Sequence, residues 1–297
     1  MTLSGLIAPL PPIVALPPFG TMDQVSDAQL ARYAEMIHTR TGIRVLPQKK
    51  ILLSNRLRRR LRATGVKDFE EYYHHLKRLP PQDPEWDAFL QEITTHETYL
   101  FRDKAQWDWL RNVYLPERSA LARTTGGLAC MRIWSAACST GDEAVTAACC
   151  IAACLPDFQR WQIRILGTDI GVGAVEQATT AAFGQRAMHL VPEDYCRRFF
   201  TKAKDSEVWQ ARPIITDMLT FRQHNLMEPL RERPFDLVLL KNVLIYFSKL
   251  SKTAVLHNIR AALRPGGLLM VGAAEGVADL VQDFQRLEPW LYRKPVA

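Results

Sequence analysis

Met131-Arg132-Ile133-Trp134-Ser135-Ala136-Ala137-Cys138-Ser139-Thr140-Gly141-Asp142-Glu143 reads as a strand that ends on small residues and re-enters a helix. Met131–Ala137 is apolar enough to be a buried strand, and Asp142–Leu155 is an alanine-rich helix. Small residues at the carboxyl end of a strand let the main chain approach a ligand closely, and open α/β sheets bind ligands there. A single glycine in the bend does not make the G-x-G-x-x-G fingerprint, so a pyrophosphate ligand is disfavoured.

Downstream, the same rhythm repeats. Ile163–Ile170 is a second strand, followed by a helix over Ala174–Ala182. Phe235–Leu240 is a third strand, and Ser251–Leu263 is an amphipathic helix bearing Val255, Leu256, Ile259 and Leu263. Arg264-Pro265-Gly266-Gly267 stops that helix, Leu268–Gly272 is another strand, and Phe284–Arg293 is a closing hairpin. This alternation predicts an α/β fold, a parallel sheet with helices on both faces. The stretch of about 183–220 interrupts the alternation as a small insertion. No internal repeat is visible.

Upstream, Asp23 to about Leu121 is helical in pattern. Leu53, Leu57 and Leu61 recur every fourth residue between arginines, and Thr64-Gly65 closes that helix. Further helices are expected around 68–79 and 84–94. An all-helical N-terminal domain over 21–123 results, its linker ending at Thr124-Thr125-Gly126-Gly127, before a second domain over 128–297.

The 297 residues carry a formal net charge of +7. Residues 21–80 hold 13 Lys and Arg against 6 Asp and Glu, so the excess is local to the helical domain. Residues 1–20, with Pro9, Pro11, Pro12, Pro17 and Pro18, read as a flexible leader. They lack the basic start of a secretion signal. No apolar run reaches the roughly 20 residues of a membrane span, so no membrane insertion is expected. The six cysteines include no C-x2-C pair; no metal is expected, and Cys149, Cys150 and Cys154 read as core residues. Reduced thiols in the cytoplasm are the default expectation.

Three residues stand at successive strand ends. Asp169 can accept both hydroxyls of a ribose, or cap the helix that follows. Glu143 can bind ligand or favour its helix start. Asn242 offers an amide beside an adenine. Together they describe a nucleoside site without phosphate-binding features, which suits S-adenosylmethionine better than NAD.

Four blocks resemble the CheR-type chemotaxis receptor methyltransferases. They are Thr98-Tyr99-Leu100-Phe101-Arg102-Asp103, Trp134 to Glu143, Asn242-Val243-Leu244-Ile245-Tyr246-Phe247, and Leu263-Arg264-Pro265-Gly266-Gly267 leading to Gly272 and Glu275. The resemblance covers about 23–293. It implies a Rossmann-like methyltransferase sheet with a small inserted β-subdomain, using S-adenosylmethionine to esterify receptor glutamates. It places Thr98, Arg102, Glu143, Asp169, Asn225, Leu226, Asn242 and Val243 at the cofactor, with His96 where the family usually has asparagine. It also places Arg102 and Tyr246 at the substrate glutamate, and the basic helix of about 51–63, with Arg56, Arg59 and Arg60, at the receptor. Besides His96, the departures are Leu100 for phenylalanine, Ala144-Val145 for Pro-Tyr, and Lys241 for arginine. His96 reads as a neutral substitute rather than a general base. In some members the inserted subdomain captures a receptor tail peptide; here Thr201–Trp209 is short and lacks glycine, so recognition without a tether is expected.

A glutamate is already ionised at neutral pH, so its methylation needs positioning more than a base. A tight arginine clamp would favour the charged ground state, so Tyr246 is expected to orient the carboxylate and Arg102 to anchor more loosely. Tyr246 could instead be a core aromatic, Arg102 an ion-pair partner of Asp103, and the arginine helix a solvated face. The partner expected is the helical cytoplasmic region of chemoreceptors, with the enzyme monomeric. A nucleic-acid methyltransferase is disfavoured: neither an Asn/Asp-Pro-Pro-Tyr motif nor a Pro-Cys nucleophile is present. A catalytically silent adaptor is the other alternative, and retained Tyr246, Arg102, Asp169 and Asn242 argue against it.

Overall fold

The computed structural model describes residues 24–125 and 129–296. The expected leader at 1–20 and the Gly126-Gly127 end of the linker lie outside the described residues. Helices α1 (Asp27–Thr41), α2 (Lys50–Thr64), α3 (Phe69–Arg78) and α4 (Pro84–Ile93) form the first unit. Ser26 and Gln29 close a capping box on α1, and Asp68 and Asp83 accept main-chain N–H groups at the starts of α3 and α4. Gly65 takes the left-handed conformation (φ 72°) that ends α2. Leu53, Leu57 and Leu61 are buried against Tyr33, Ile37, Tyr72, Leu76 and Phe89, the packing that their four-residue spacing predicts.

Helices α5 (Lys104–Trp109) and α6 (Leu115–Thr125), joined by a π-helical turn, belong elsewhere. Leu100, Phe101, Trp107, Leu110 and Leu115 share a core with the sheet, and Arg118 of α6 pairs with the buried Asp236 at 3.3 Å. The helical run expected to form one domain to 123 therefore divides near Ile93–Leu100. Helical periodicity is the same on both sides of that point; only the burial partner changes.

The second unit contains β1 (Cys130–Ala136), α7 (Asp142–Cys154), β2 (Gln162–Asp169) and α8 (Val172–Thr180). Then come β3 (Ala182–Gly184), α9 (Gln185–Met188), α10 (Glu193–Phe199), β4 (Phe200–Lys202), β5 (Val208–Ala211) and α11 (Pro213–Thr216). It ends with β6 (Leu219–Gln223), β7 (Phe235–Leu240), α12 (Lys249–Ala262), β8 (Leu263–Val271), β9 (Gln285–Glu288) and β10 (Leu291–Arg293). Seven strands form one sheet in the order β6-β2-β1-β7-β8-β10-β9, parallel from β6 to β8 with an antiparallel closing hairpin. Chain direction across the sheet reverses between β1 and β7, which sets the switch point there. All of β7 is buried: Leu237 and Leu239 join Ala147 and Ile151 of α7, while Val238 and Leu240 join Val255 and Ile259 of α12.

The insertion is a separate three-stranded sheet, β3-β5-β4, seated on the main core through Phe183, Phe199 and Phe200. It closes before β6, a main-sheet strand that the sequence pattern hides because it is a partly exposed edge. The Arg264-Pro265-Gly266-Gly267 block, expected to lie between helix and strand, is itself part of β8, and the helix ends at Ala262. A Cβ on Gly267 would lie 2.9 Å from Arg264 O and 3.1 Å from Phe235 O, so the strand passes β7 there only without a side chain. All six cysteines are free, with Cys149 and Cys150 in the core.

Candidate cofactor cleft and active site

A cleft enclosing about 1080 Å³, part of it open to solvent, lies at the carboxyl ends of β1, β2 and β7. His96, Thr98, Arg102, Glu143, Asp169, Asn225, Leu226, Asn242, Val243 and Tyr246 all line it, although they come from five separate stretches of chain. Ala137 (φ 60°), Ser139 (φ 51°) and Asn242 (φ 58°) on its wall adopt left-handed backbone, as do Phe101 and Asp103 beside Arg102. Non-glycine residues held there cost of order 1–3 kcal/mol each, and such strain gathers at functional sites.

Asp169 ends β2 and is buried. One carboxylate oxygen accepts Ser139 N–H at 2.8 Å, and the other accepts Gly171 N–H at 2.9 Å. It therefore closes the turn that leads into α8, whose N-cap is Gly171, and also fixes the β1 turn. A carboxylate has about four lone-pair positions, so two remain for a diol. His96 stands 3.8 Å from Asp169, and its Nε2 lies 2.6 Å from Thr94 Oγ1. Thr94 already donates to Leu90 O, so it accepts from His96 Nε2–H and leaves Nδ1 unprotonated. Burial lowers the pKa of His96, which favours the neutral ring. Gly171 permits this approach, because a Cβ there would meet the His96 ring at 2.8 Å.

Glu143 accepts Ser135 Oγ–H at 2.7 Å and lies 3.6 Å from the ammonium of Lys241. The same ammonium is 3.3 Å from Asp103 and 4.7 Å from the centre of the Trp107 ring. Burial pushes the Glu143 carboxyl up, while Lys241 pulls it back. Beyond replacing the family's arginine, Lys241 closes the apolar run of β7, and a lysine at that place in the sequence is the signal that it carries a site. Because Lys241 takes Asp103, the expected Arg102–Asp103 alternative does not occur. Arg102 has no ion-pair partner among the described residues and lies 5.7 Å from the Tyr99 ring. Tyr246 is 39% exposed at the cleft edge, which excludes the core-aromatic alternative. Asn225 donates to Arg40 O at 2.7 Å and accepts Met227 N–H, fixing the loop that presents Leu226.

The three α2 arginines are not in the cleft. Arg60 makes a two-bond pair with Glu85 at 3.1 and 2.6 Å inside the helical unit, where Tyr72 also donates to Glu85. Three positions after the buried Leu57, Arg60 thus has a partner within its own unit. Arg56 donates to Ile93 O and to Thr95 Oγ1, and Arg59 is exposed but paired with Glu92 at 2.6 Å. Arg60→Ala should lower unfolding free energy by about 2 kcal/mol in urea titration, since the half-buried Glu85 would lose two charge-assisted hydrogen bonds. Unchanged stability would show the pair to be surface-like.

A cleft at a parallel-sheet switch point, with an acid on β2 and no phosphate-binding glycine loop, is the arrangement of an S-adenosylmethionine-dependent methyltransferase. Residues 96–291 match the family model "CheR methyltransferase, SAM binding domain", and residues 28–94 match "CheR methyltransferase, all-alpha domain". Their division agrees with the packing boundary. The chemotaxis protein methyltransferase of Salmonella typhimurium is 30% identical over 265 residues, 88% of each chain. That of Borreliella burgdorferi is 26% identical over 278 residues, 91% of this chain and 95% of its own. Chemotaxis protein methyltransferase 2 of Pseudomonas aeruginosa is 30% identical over 271 residues, 90% of this chain and 93% of its own. The chain belongs to the CheR methyltransferase family.

Proposed function

We propose that the protein methylates glutamate side chains in the helical cytoplasmic region of chemoreceptors, acting in the cytoplasm as a monomer and without a tether peptide. The observation that carries this reading is the half-exposed Tyr246 at the mouth of a cleft lined also by the unpaired Arg102. The relatives' name, chemotaxis protein methyltransferase, supports the same substrate class. No helix among the described residues is long and apolar enough to cross a membrane.

When bound, S-adenosylmethionine supplies a methyl group already activated on a sulfonium. Asp169, with the two lone-pair positions left by Ser139 and Gly171, suits the ribose. His96, Thr98, Asn225, Leu226, Asn242 and Val243 would hold the rest of the nucleoside, with Glu143 and Arg102 towards the amino-acid end. The acceptor carboxylate is ionised at neutral pH and needs no base. Tyr246 donates one neutral hydrogen bond that orients it without overstabilising its charge. Arg102 draws the acidic segment in.

Tyr246→Phe should lower kcat about 10- to 100-fold while leaving S-adenosylhomocysteine affinity unchanged. The assay uses methyl-labelled S-adenosylmethionine, chemoreceptor membranes and base-labile methanol. Full turnover by the variant would remove the orienting role. Binding by the wild-type chain with no receptor label would favour the adaptor reading, and label on nucleic acid would favour the other. Arg59→Ala is the cleaner docking test, because its pair with Glu92 is more exposed than the Arg60–Glu85 pair.

A further inference from the structure

Glu275 is 1% exposed, yet among the described residues no Lys, Arg or His pairs with its carboxylate. Its oxygens instead accept Val243 N–H at 3.2 Å and Ile245 N–H at 3.1 Å. The neighbouring Asn242 and Leu244 N–H groups also favour its charged form, so the main chain of 242–245 acts on one side chain. Burial pushes this carboxyl up to about 6 against those bonds. The segment it gathers is the one that matters to the cleft. Asn242 is held there in left-handed backbone, Val243 lines the wall, and the turn Leu244–Tyr246 delivers Tyr246 to the mouth. Gly272 gives the carboxylate room: a Cβ there would lie 2.8 Å from Glu275 Oε1 and 3.0 Å from Asn242 N. The main-chain oxygen of Glu275 is in turn fixed by Lys252 Nζ of α12 at 2.6 Å.

We propose that Glu275 is a positioning residue for methyl transfer, its carboxylate locking main chain 242–245 so that Asn242 meets the cofactor and Tyr246 meets the acceptor. A carboxylate is needed because it only accepts hydrogen bonds; the amide of a glutamine would turn donors towards donors. A neutral side chain at this place would spare the cost of burying a charge, so its function is the conformation it imposes, not stability. The acceptor half of this proposal rests on the reading of Tyr246 above. The cofactor half stands without it.

The test compares wild type, Glu275→Gln and Glu275→Asp as full-length proteins, with S-adenosylhomocysteine calorimetry, receptor-methylation kinetics and urea unfolding. Glu275→Gln should weaken S-adenosylhomocysteine about tenfold, the loss of one charge-assisted hydrogen bond. It should also lower kcat more than it raises the KM for receptor, with an unfolding midpoint equal to or above wild type. Glu275→Asp, which keeps the charge, should recover part of both losses. Unchanged S-adenosylhomocysteine affinity and kcat in Glu275→Gln, or losses explained by a lower unfolding midpoint, would overturn the proposal. If receptor is not methylated even by wild type, calorimetry still decides the cofactor half. If Glu275→Gln fails to fold, Lys252→Met should show a smaller loss of S-adenosylhomocysteine affinity, and an unchanged value would overturn the proposal.

Discussion

Asp169→Asn should reduce S-adenosylhomocysteine affinity at least about 100-fold, the largest loss expected from any single substitution in the cleft. The residue has two duties that the amide cannot perform together. Its oxygens already accept the N–H groups of Ser139 and Gly171, and the remaining lone pairs are the ones that suit a diol. An amide nitrogen would face one of those N–H groups and push the β1 turn away. Two charge-assisted hydrogen bonds at about 1.5 kcal/mol each account for the hundredfold. Calorimetry measures the loss, and circular dichroism with thermal melting checks that the fold survives. Near-wild-type affinity would leave Asp169 only its role in fixing the two turns.

Lys241→Met should lower unfolding free energy by about 3 kcal/mol at about pH 8, because it leaves Glu143 and Asp103 without their shared cation. The Lys241 side chain is 3% exposed, so water cannot replace it. The sign of the pH dependence follows from Glu143, whose carboxyl burial already holds above its unfolded value. A raised carboxyl pKa means that the folded state binds more protons over the window above the unfolded pKa. Stability from this group is therefore greatest at low pH and falls as pH rises through the folded pKa. Removing Lys241 raises that pKa further and widens the window. The deficit of the variant should be smaller at about pH 5 than at about pH 8 when both are read from urea curves. Equal stability of variant and wild type at the higher pH would show that Lys241 is solvated and the network weak.

These two residues also mark how far the sequence could be read. Asp169 was legible because strand, acid and helix follow one another along the chain. Lys241 was visible as a basic residue after an apolar strand, but its partners Asp103 and Glu143 lie far from it in sequence. Nothing in the sequence assigns Glu275 a role, since its partners are main-chain N–H groups that no side-chain pattern encodes. The α2 arginines show a contrast that spacing does not encode. Arg60 shares the charge and spacing of Arg59, yet one pairs inside with Glu85 and the other stays exposed.

The sequence by itself determined the strand–helix alternation, the leucine stripe of α2, the absence of a phosphate-binding loop and the residues at the strand ends. Each of those depends on chemistry within a few positions of chain, where periodicity and backbone preference act. Only the tertiary structure decided that α5 and α6 belong to the sheet, that β6 is its edge, and that Arg60 faces inward. It also decided that an uncompensated carboxylate organises the loop bearing Tyr246. Those outcomes turn on which surface buries against which and on what charge remains when water is excluded, and both are set by residues that meet only after the chain has folded.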